Sequence, residues 1–268
     1  MAYKHGVYTS EAPTSVVPAV NTTAGLPVVF GTAPVHLASE RAQTNKPILC
    51  YSYAEAVQQL GYSKDWAKYT LCEVMYSQFA LYNRGPVVFV NVLDPKTHKK
   101  STSSQNVTVT NKIAKVDAPV LLDTLQIKAS TAGSALIAGS DYEAAYDDDG
   151  VLVITLLDDG TATAASNLTL TYDEIDAAAV DADDIIGGIN VSDGSVKGLE
   201  CLNKVFPITG LVPGIVLAPG WSETPTVAAV MKAKAGNINS HFKAITLNDV
   251  PTDSVKKYTD VKNWMNQN

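Results

Sequence analysis

The sequence predicts an α/β core sheet domain, an all-β domain inserted into it (sandwich- or barrel-like), and an extended N-terminal arm. Three observations carry this. First, short continuous apolar runs at residues 26–31 (LPVVFG), 86–93 (PVVFVNVL) and 214–218 (GIVLA) alternate with helix-length stretches. Such runs mark strands buried on both faces of a parallel sheet. Second, from about residue 99 to 184 helical periodicity gives way to period-two alternation, at Val107/Val109, Leu125/Ile127 and Leu168/Leu170/Tyr172. Third, charge divides the chain in the same place. Residues 101–200 carry a net of −13 and the remainder +6, within an overall −7. The boundaries that follow are 1–25 for the arm, 26–98 and 191–268 for the two parts of the core, and 99–190 for the insertion.

Residues 1–25 read as extended, because Pro13 and Pro18 remove backbone donors and disfavour helix before them. The apolar side chains Val7, Tyr8, Val16, Val17 and Val20 need cover. They find it either across the chain's own domain or on a neighbouring subunit by strand addition. After the first buried run, residues 53–60 form a short helix that Gly61 stops. Ser63 is placed to cap a second helix through about Tyr82, with Leu71, Val74, Met75, Phe79 and Tyr82 on one face and Gly85-Pro86 as the end. The strand at 86–93 completes a β-α-β unit, so it pairs parallel with the first.

In the acidic segment, Asp149-Gly150 and Asp159-Gly160 flank the apolar run 151–157 and predict hairpin turns on both sides. The α/β pattern then resumes. A helix is expected over 196–205 and a strand over 214–218, followed by a turn at 219–222. Next comes a helix with Thr224 as cap and Pro225 at its first position, stopped by Gly236. A strand over 242–247 and a last helix capped by Thr252 or Asp253, with Val255, Tyr258, Val261 and Met265 on one face, close the chain. A doubly wound sheet often continues beyond such a helix, so the chain reads as lacking a C-terminal portion.

Chemistry-bearing motifs are missing. There is no GxxxxGK[ST], GxGxxG, GxSxG, HExxH or CxxC pattern, so no nucleotide, dinucleotide or metal cofactor is expected. His5, His36, His98 and His241 have no partner at helical spacing. The run Asp147-Asp148-Asp149-Gly150 fails as a calcium loop, since Ala145 and Leu156 stand where ligands are required. Cys50, Cys72 and Cys201 read as buried small hydrophobes. The acidic middle and the lack of basic–aromatic interleaving exclude general nucleic-acid binding. No apolar run reaches the ~18 residues of a membrane span. Ser222 lies where open α/β sheets bind ligands, but as a nucleophile it lacks a nominated base, and capping is its simpler role.

Three stretches carry a family resemblance: residues 6–34 (GVYTSEAPTSVVPAVNTTAGLPVVFGTAP), 85–95 (GPVVFVNVLDP) and 210–235 (GLVPGIVLAPGWSETPTVAAVMKAKA). In order and spacing the chain resembles the tail sheath protein family of contractile phage tails and phage-tail-like bacteriocins. The resemblance implies a structural subunit without catalytic, cofactor or metal residues, polymerising as stacked hexameric rings around the inner tail tube. Contraction would drive that tube through the target envelope. It further implies an inter-subunit arm containing Val7, Tyr8, Val16, Val17 and Val20. The implied partners are other copies of the chain, the tube protein, and the baseplate and tail terminator proteins, with no nucleic acid and no membrane insertion. The place is the virion tail or bacteriocin particle, assembled in the bacterial cytoplasm. Two other classes stay open: a surface adhesion module built on the inserted β segment, and an α/β enzyme with a site at 219–222.

Overall fold

The protein was analysed as a computed structural model that describes residues 25–130 and 133–267. The chain opens with β1 (Pro27–Gly31), in which Val28, Val29 and Phe30 are fully buried. A 3-10 turn (Val35–Leu37) leads to β2 (Ile48–Cys50) and α1 (Tyr53–Leu60). Ser52 caps α1 by accepting from the Glu55 amide, and Gly61 stops it at φ 73°. Helix α2 (Leu71–Met75) runs on as a π-helical turn through Leu81, and β3 (Val87–Asn91) follows.

These strands form one side of a five-stranded sheet. Its order is β13-β12-β1-β3-β2, where β12 is Ile215–Leu217 and β13 is Ile245–Leu247. The β1–β3 and β1–β12 pairs are parallel, as the buried runs predict, and the β12–β13 pair is parallel too. Strand β2 is antiparallel to β3 (Leu49 opposite Val88) and has no counterpart among the sequence-based expectations. At three residues it is too short to show periodicity.

Between β3 and β12 lies a different architecture. Strands β4 (Lys99–Thr108), β5 (Ile113–Val116), β6 (Gln126–Lys128), β7 (Tyr142–Tyr146), β8 (Leu152–Leu156) and β9 (Asn167–Ile175) make two antiparallel three-stranded sheets, β4-β9-β6 and β5-β8-β7. Their buried side chains, including Val116, Ile127, Leu152, Ile154, Leu168 and Leu170, form a hydrophobic cluster separate from the one around the five-stranded sheet. Asp149-Gly150 is the β7–β8 hairpin turn, with Gly150 at φ 79° and the Asp147 carboxylate accepting from the amides of Asp149 and Val151. Asp159-Gly160 is not a hairpin, because the chain crosses there from one sheet to the other. The turn is instead tied down by buried Asp141, whose carboxylate accepts from the Ile137 and Thr161 amides and the Thr161 hydroxyl.

The chain then returns through α3 (Ala182–Ile186), the two-stranded β10 (Gly188–Ile189) and β11 (Val196–Lys197), α4 (Leu202–Thr209) and α5 (Pro225–Ala235), and ends in α6 (Tyr258–Gln267). Asp181 caps α3 in a capping box with Asp184. Helix α5 starts at Pro225 and stops at Gly236, as expected.

Expectations for three of the helices are corrected. Ser63 does not begin a helix. Its hydroxyl accepts from the Asp65 amide in a local turn, and α2 starts only at Leu71. Tyr82, expected on the buried face, is exposed. Residues 196–201 are a short strand and a 3-10 turn, with the α-helix beginning at Leu202. The cause is Gly198, at φ 55°, where a Cβ would sit 2.4 Å from the Ile185 carbonyl oxygen. That backbone crossing is closed to a helix and to any side chain. Neither Thr252 nor Asp253 caps the last helix: Pro251 starts a turn that accepts from Ser254 and Val255, and α6 begins at Tyr258.

Candidate functional site

Chain order places the topological switch of the sheet between β1 and β12, since the chain moves outward from β1 to β3 and later returns to β12 before stepping to β13. Open α/β sheets bind ligands outside the carboxyl ends of strands at such a point. Here that position is filled by the protein's own side chains. Thr32 follows β1, and its hydroxyl donates to the Lys68 carbonyl at 2.7 Å and accepts from the Thr70 amide at 3.2 Å. The Thr70 hydroxyl accepts from the Thr32 amide in return. Both threonines are buried. A Cβ at Gly31 would lie 2.3 Å from Thr70 Oγ1, and one at Gly220 would lie 3.3 Å from Thr70 Cγ2. Thr70 therefore sits between the ends of β1 and β12. Beside it, Asn91 at the end of β3 accepts from the Ala33 and Leu93 amides and donates to the Leu93 carbonyl.

Ser222 belongs to the same edge but not as a nucleophile paired with a base. It is 1% exposed. Its hydroxyl donates to the Asp249 carboxylate at 3.0 Å and accepts from the Asp249 amide at 2.8 Å, while Asp249 also accepts from the Gly220 amide. This ties the turn after β12 to the segment after β13. Nor does Ser222 cap α5, whose N-cap position is Thr224. Asp249 was not legible as its partner, because 27 residues separate the two.

The other chemistry-bearing residues are scattered. Among the described residues no group of three or more His, Cys, Asp or Glu side chains is placed to hold a metal ion. Cys50, Cys72 and Cys201 are buried. Burial pushes the thiols of Cys50 and Cys72 up to about 12 and that of Cys201 up to about 11. They are thus poor nucleophiles. His98 ties the segment after β3 to α3: its Nδ1 accepts from the Asp94 amide and its Nε2 lies 3.3 Å from Asp184. His36 is buried against the ring of Tyr146. Among the described residues no helix is long and apolar enough to cross a membrane.

Among the described residues the surface offers open strand edges and apolar side chains. There strand β13 ends the sheet on one side, with Ile245 and Leu247 exposed. Beside it a groove of about 540 Å³ runs between α5 and α6, lined by Ala228, Ala229, Thr246, Val250, Trp264 and Met265. On the side of β2, Tyr51, Leu81 and Tyr82 are exposed. The arm residues Val7, Tyr8, Val16, Val17 and Val20 lie outside the described residues.

No family model matches the chain. A curated relative does. The tail sheath protein of Burkholderia phage BcepMu is 29% identical over 239 residues, which is 87% of this chain and 46% of that protein. The chain therefore spans about half the length of the curated relative it matches. The match takes in far more of the chain than the three stretches that first pointed to the family, and over most of its length this chain is similar to a phage tail sheath protein.

Proposed function

We propose that this chain is a structural subunit of a contractile tail sheath, working by assembly rather than by catalysis. The observation that carries the reading is the likeness to a tail sheath protein across 87% of the chain. The sheet's switch point adds support, because Thr70 fills the place where an α/β enzyme would seat its ligand. Ser222, the one nucleophile candidate, is spent on a structural tie to Asp249.

In this reading copies of the chain stack as hexameric rings around the inner tail tube and shift together on contraction. Rigid bodies move and extended segments act as hinges. Residues 26–98 and 191–268 form the core, and residues 99–190 form an inserted acidic β domain that faces outward. Residues 1–25 are the arm, with Val7, Tyr8, Val16, Val17 and Val20 packing on a neighbouring copy. The partners are other copies, the tube protein, and the baseplate and terminator proteins. The place of action is a virion tail or a bacteriocin particle.

Immunogold electron microscopy of particles from lysates of the source cells tests this. Gold is expected along the whole length of contractile tails and absent from bare tubes. Label confined to baseplates or fibres would replace the sheath reading with an adhesion module, and particles without label would overturn both.

A further inference from the structure

The β segment and the α/β core have separate hydrophobic clusters. Leu121 and Ile175 of the β segment are nonetheless buried in the core's cluster, and beside them the two bodies meet in a mixed polar and aromatic contact. On the core side, the 3-10 turn Val35–Leu37 presents His36, and Arg41 folds back so that its Nε donates to the Val35 carbonyl at 3.2 Å. On the other side stand Tyr146 of β7, the β7–β8 turn and Asp123. The His36 ring meets the Tyr146 ring edge-on at 5.4 Å and lies 6.0 Å from Tyr69 behind it. The Arg41 guanidinium reaches Asp123 at 3.8 Å, and Leu37 packs 3.8 Å from where a Gly150 Cβ would be. Tyr146 is held in place by donating its hydroxyl to the Val120 carbonyl at 2.7 Å.

His36 is unusual in this contact. It is 8% exposed, and its Nδ1 is buried with no hydrogen-bond partner. The titratable and charged groups that face it are the two phenols, Tyr69 and Tyr146, and the Arg41 cation, whose own counter-ion is Asp123. None of these is an anion that would pair with an imidazolium. A proton on Nδ1 would be a buried, unpaired charge beside a guanidinium, which the closed contact resists and the open one accepts freely.

We propose that this contact is an acid-released latch: protonation of His36 opens it while the β segment and the α/β core keep their own folds. Burial, then the Arg41 charge, holds the imidazole's pKa in the closed contact down to about 3 from the ordinary 6.5. The sign follows from linkage. The open state binds the proton more tightly, so closure is unaffected above about 6.5 and weakens about tenfold per pH unit below it, until the closed form itself protonates. In the window from about pH 6 to 4.5, ordinary carboxylates begin to protonate only toward the lower end.

Solution NMR on the full chain tests this. The Tyr146 ring and Leu37 methyl resonances should move toward their solvent-exposed positions as the pH falls across this window, while the amides of β3 and β8 keep their protection from hydrogen exchange. His36→Phe, which keeps a ring but cannot take a proton, should abolish the movement. Loss of amide protection across both clusters, no movement, or the same movement in His36→Phe would overturn the proposal. A second measurement does not depend on that variant folding. The imidazole of wild-type His36, followed by NMR, should remain neutral well below pH 6, and titration near 6.5 would overturn the latch.

Discussion

Several single residues here are defined by what they would strike or abandon if changed. Ser222 is the sharpest case. It is fully enclosed and makes two hydrogen bonds with Asp249, one through the carboxylate and one through the amide. Ser222→Ala removes both and leaves the half-buried Asp249 amide without its acceptor, at a cost of about 1–3 kcal/mol in urea unfolding. An enzyme reading requires instead the loss of an activity at unchanged stability. Gly31 is a matched case of crowding. Gly31→Ala forces a methyl onto Thr70 Oγ1 and should cost about 1–3 kcal/mol. The double change Gly31→Ala with Thr70→Ala should cost less than the sum of the two singles in a double-mutant cycle.

Asp141 adds a pH signature. Its carboxylate accepts from the Ile137 amide, the Thr161 amide and the Thr161 hydroxyl, and these bonds hold its pKa below the ordinary 3.8. A depressed acid stabilises the fold above the unfolded value, and that stabilisation is lost as pH falls from about 3.8 toward the folded value. The gap in melting temperature between wild type and Asp141→Asn should thus be constant near neutrality and shrink below about pH 4, as thermal melts followed by circular dichroism would show.

At the scale of elements, the backbone crossing of Gly187 and Gly198 decides where a helix is allowed to begin. A Cβ at Gly198 would lie 2.4 Å from one carbonyl oxygen, and one at Gly187 would lie 2.0 Å from the Lys197 oxygen, both at positive φ. Gly198→Ala should therefore destabilise by about 3 kcal/mol or more, since both partners are backbone and neither can swing aside. Equilibrium urea unfolding measures it. This crossing also explains which elements were legible in the sequence. The strands at β1, β3 and β12 and the helices α1 and α5 were readable, because burial on both faces, Gly61 and the Thr224-Pro225 pair leave local marks. The 196–201 segment was not, because Val196 and Leu199 sit at helical spacing while the constraint that forbids the helix comes from residues 185 and 187. Strand β2 was invisible for want of length, and the Thr32–Thr70 and Ser222–Asp249 ties for want of sequence proximity. Of the candidate site, the position outside β12 was legible, but what fills it was not.

At the scale of the molecule, two clusters of buried side chains that do not merge predict two cooperative units. Ile154 and Leu152 belong to the cluster of the β segment, while Phe89 and Met231 belong to that of the five-stranded sheet. Charge is also unevenly divided, with a net of −10 on residues 99–190 and +3 on the remainder. The two bodies meet at the contact of His36, Leu37 and Arg41 with Tyr146, the 147–150 turn and Asp123, and through Leu121 and Ile175 of the β segment, which are buried in the core's cluster. Two buried side chains couple the units less than one common core would. Truncating a fully buried side chain costs about 2–5 kcal/mol, chiefly in the unit that holds it. Scanning calorimetry should therefore resolve two transitions near neutral pH. Ile154→Ala should lower one and Met231→Ala the other, and the double variant should lower both additively, because distant sites without shared partners do not couple. A single transition that both substitutions shift together would mean that these contacts bind the two bodies into one folding unit. Under the proposed function the chain would then move as one block, with no freedom left for the β segment to turn against the core.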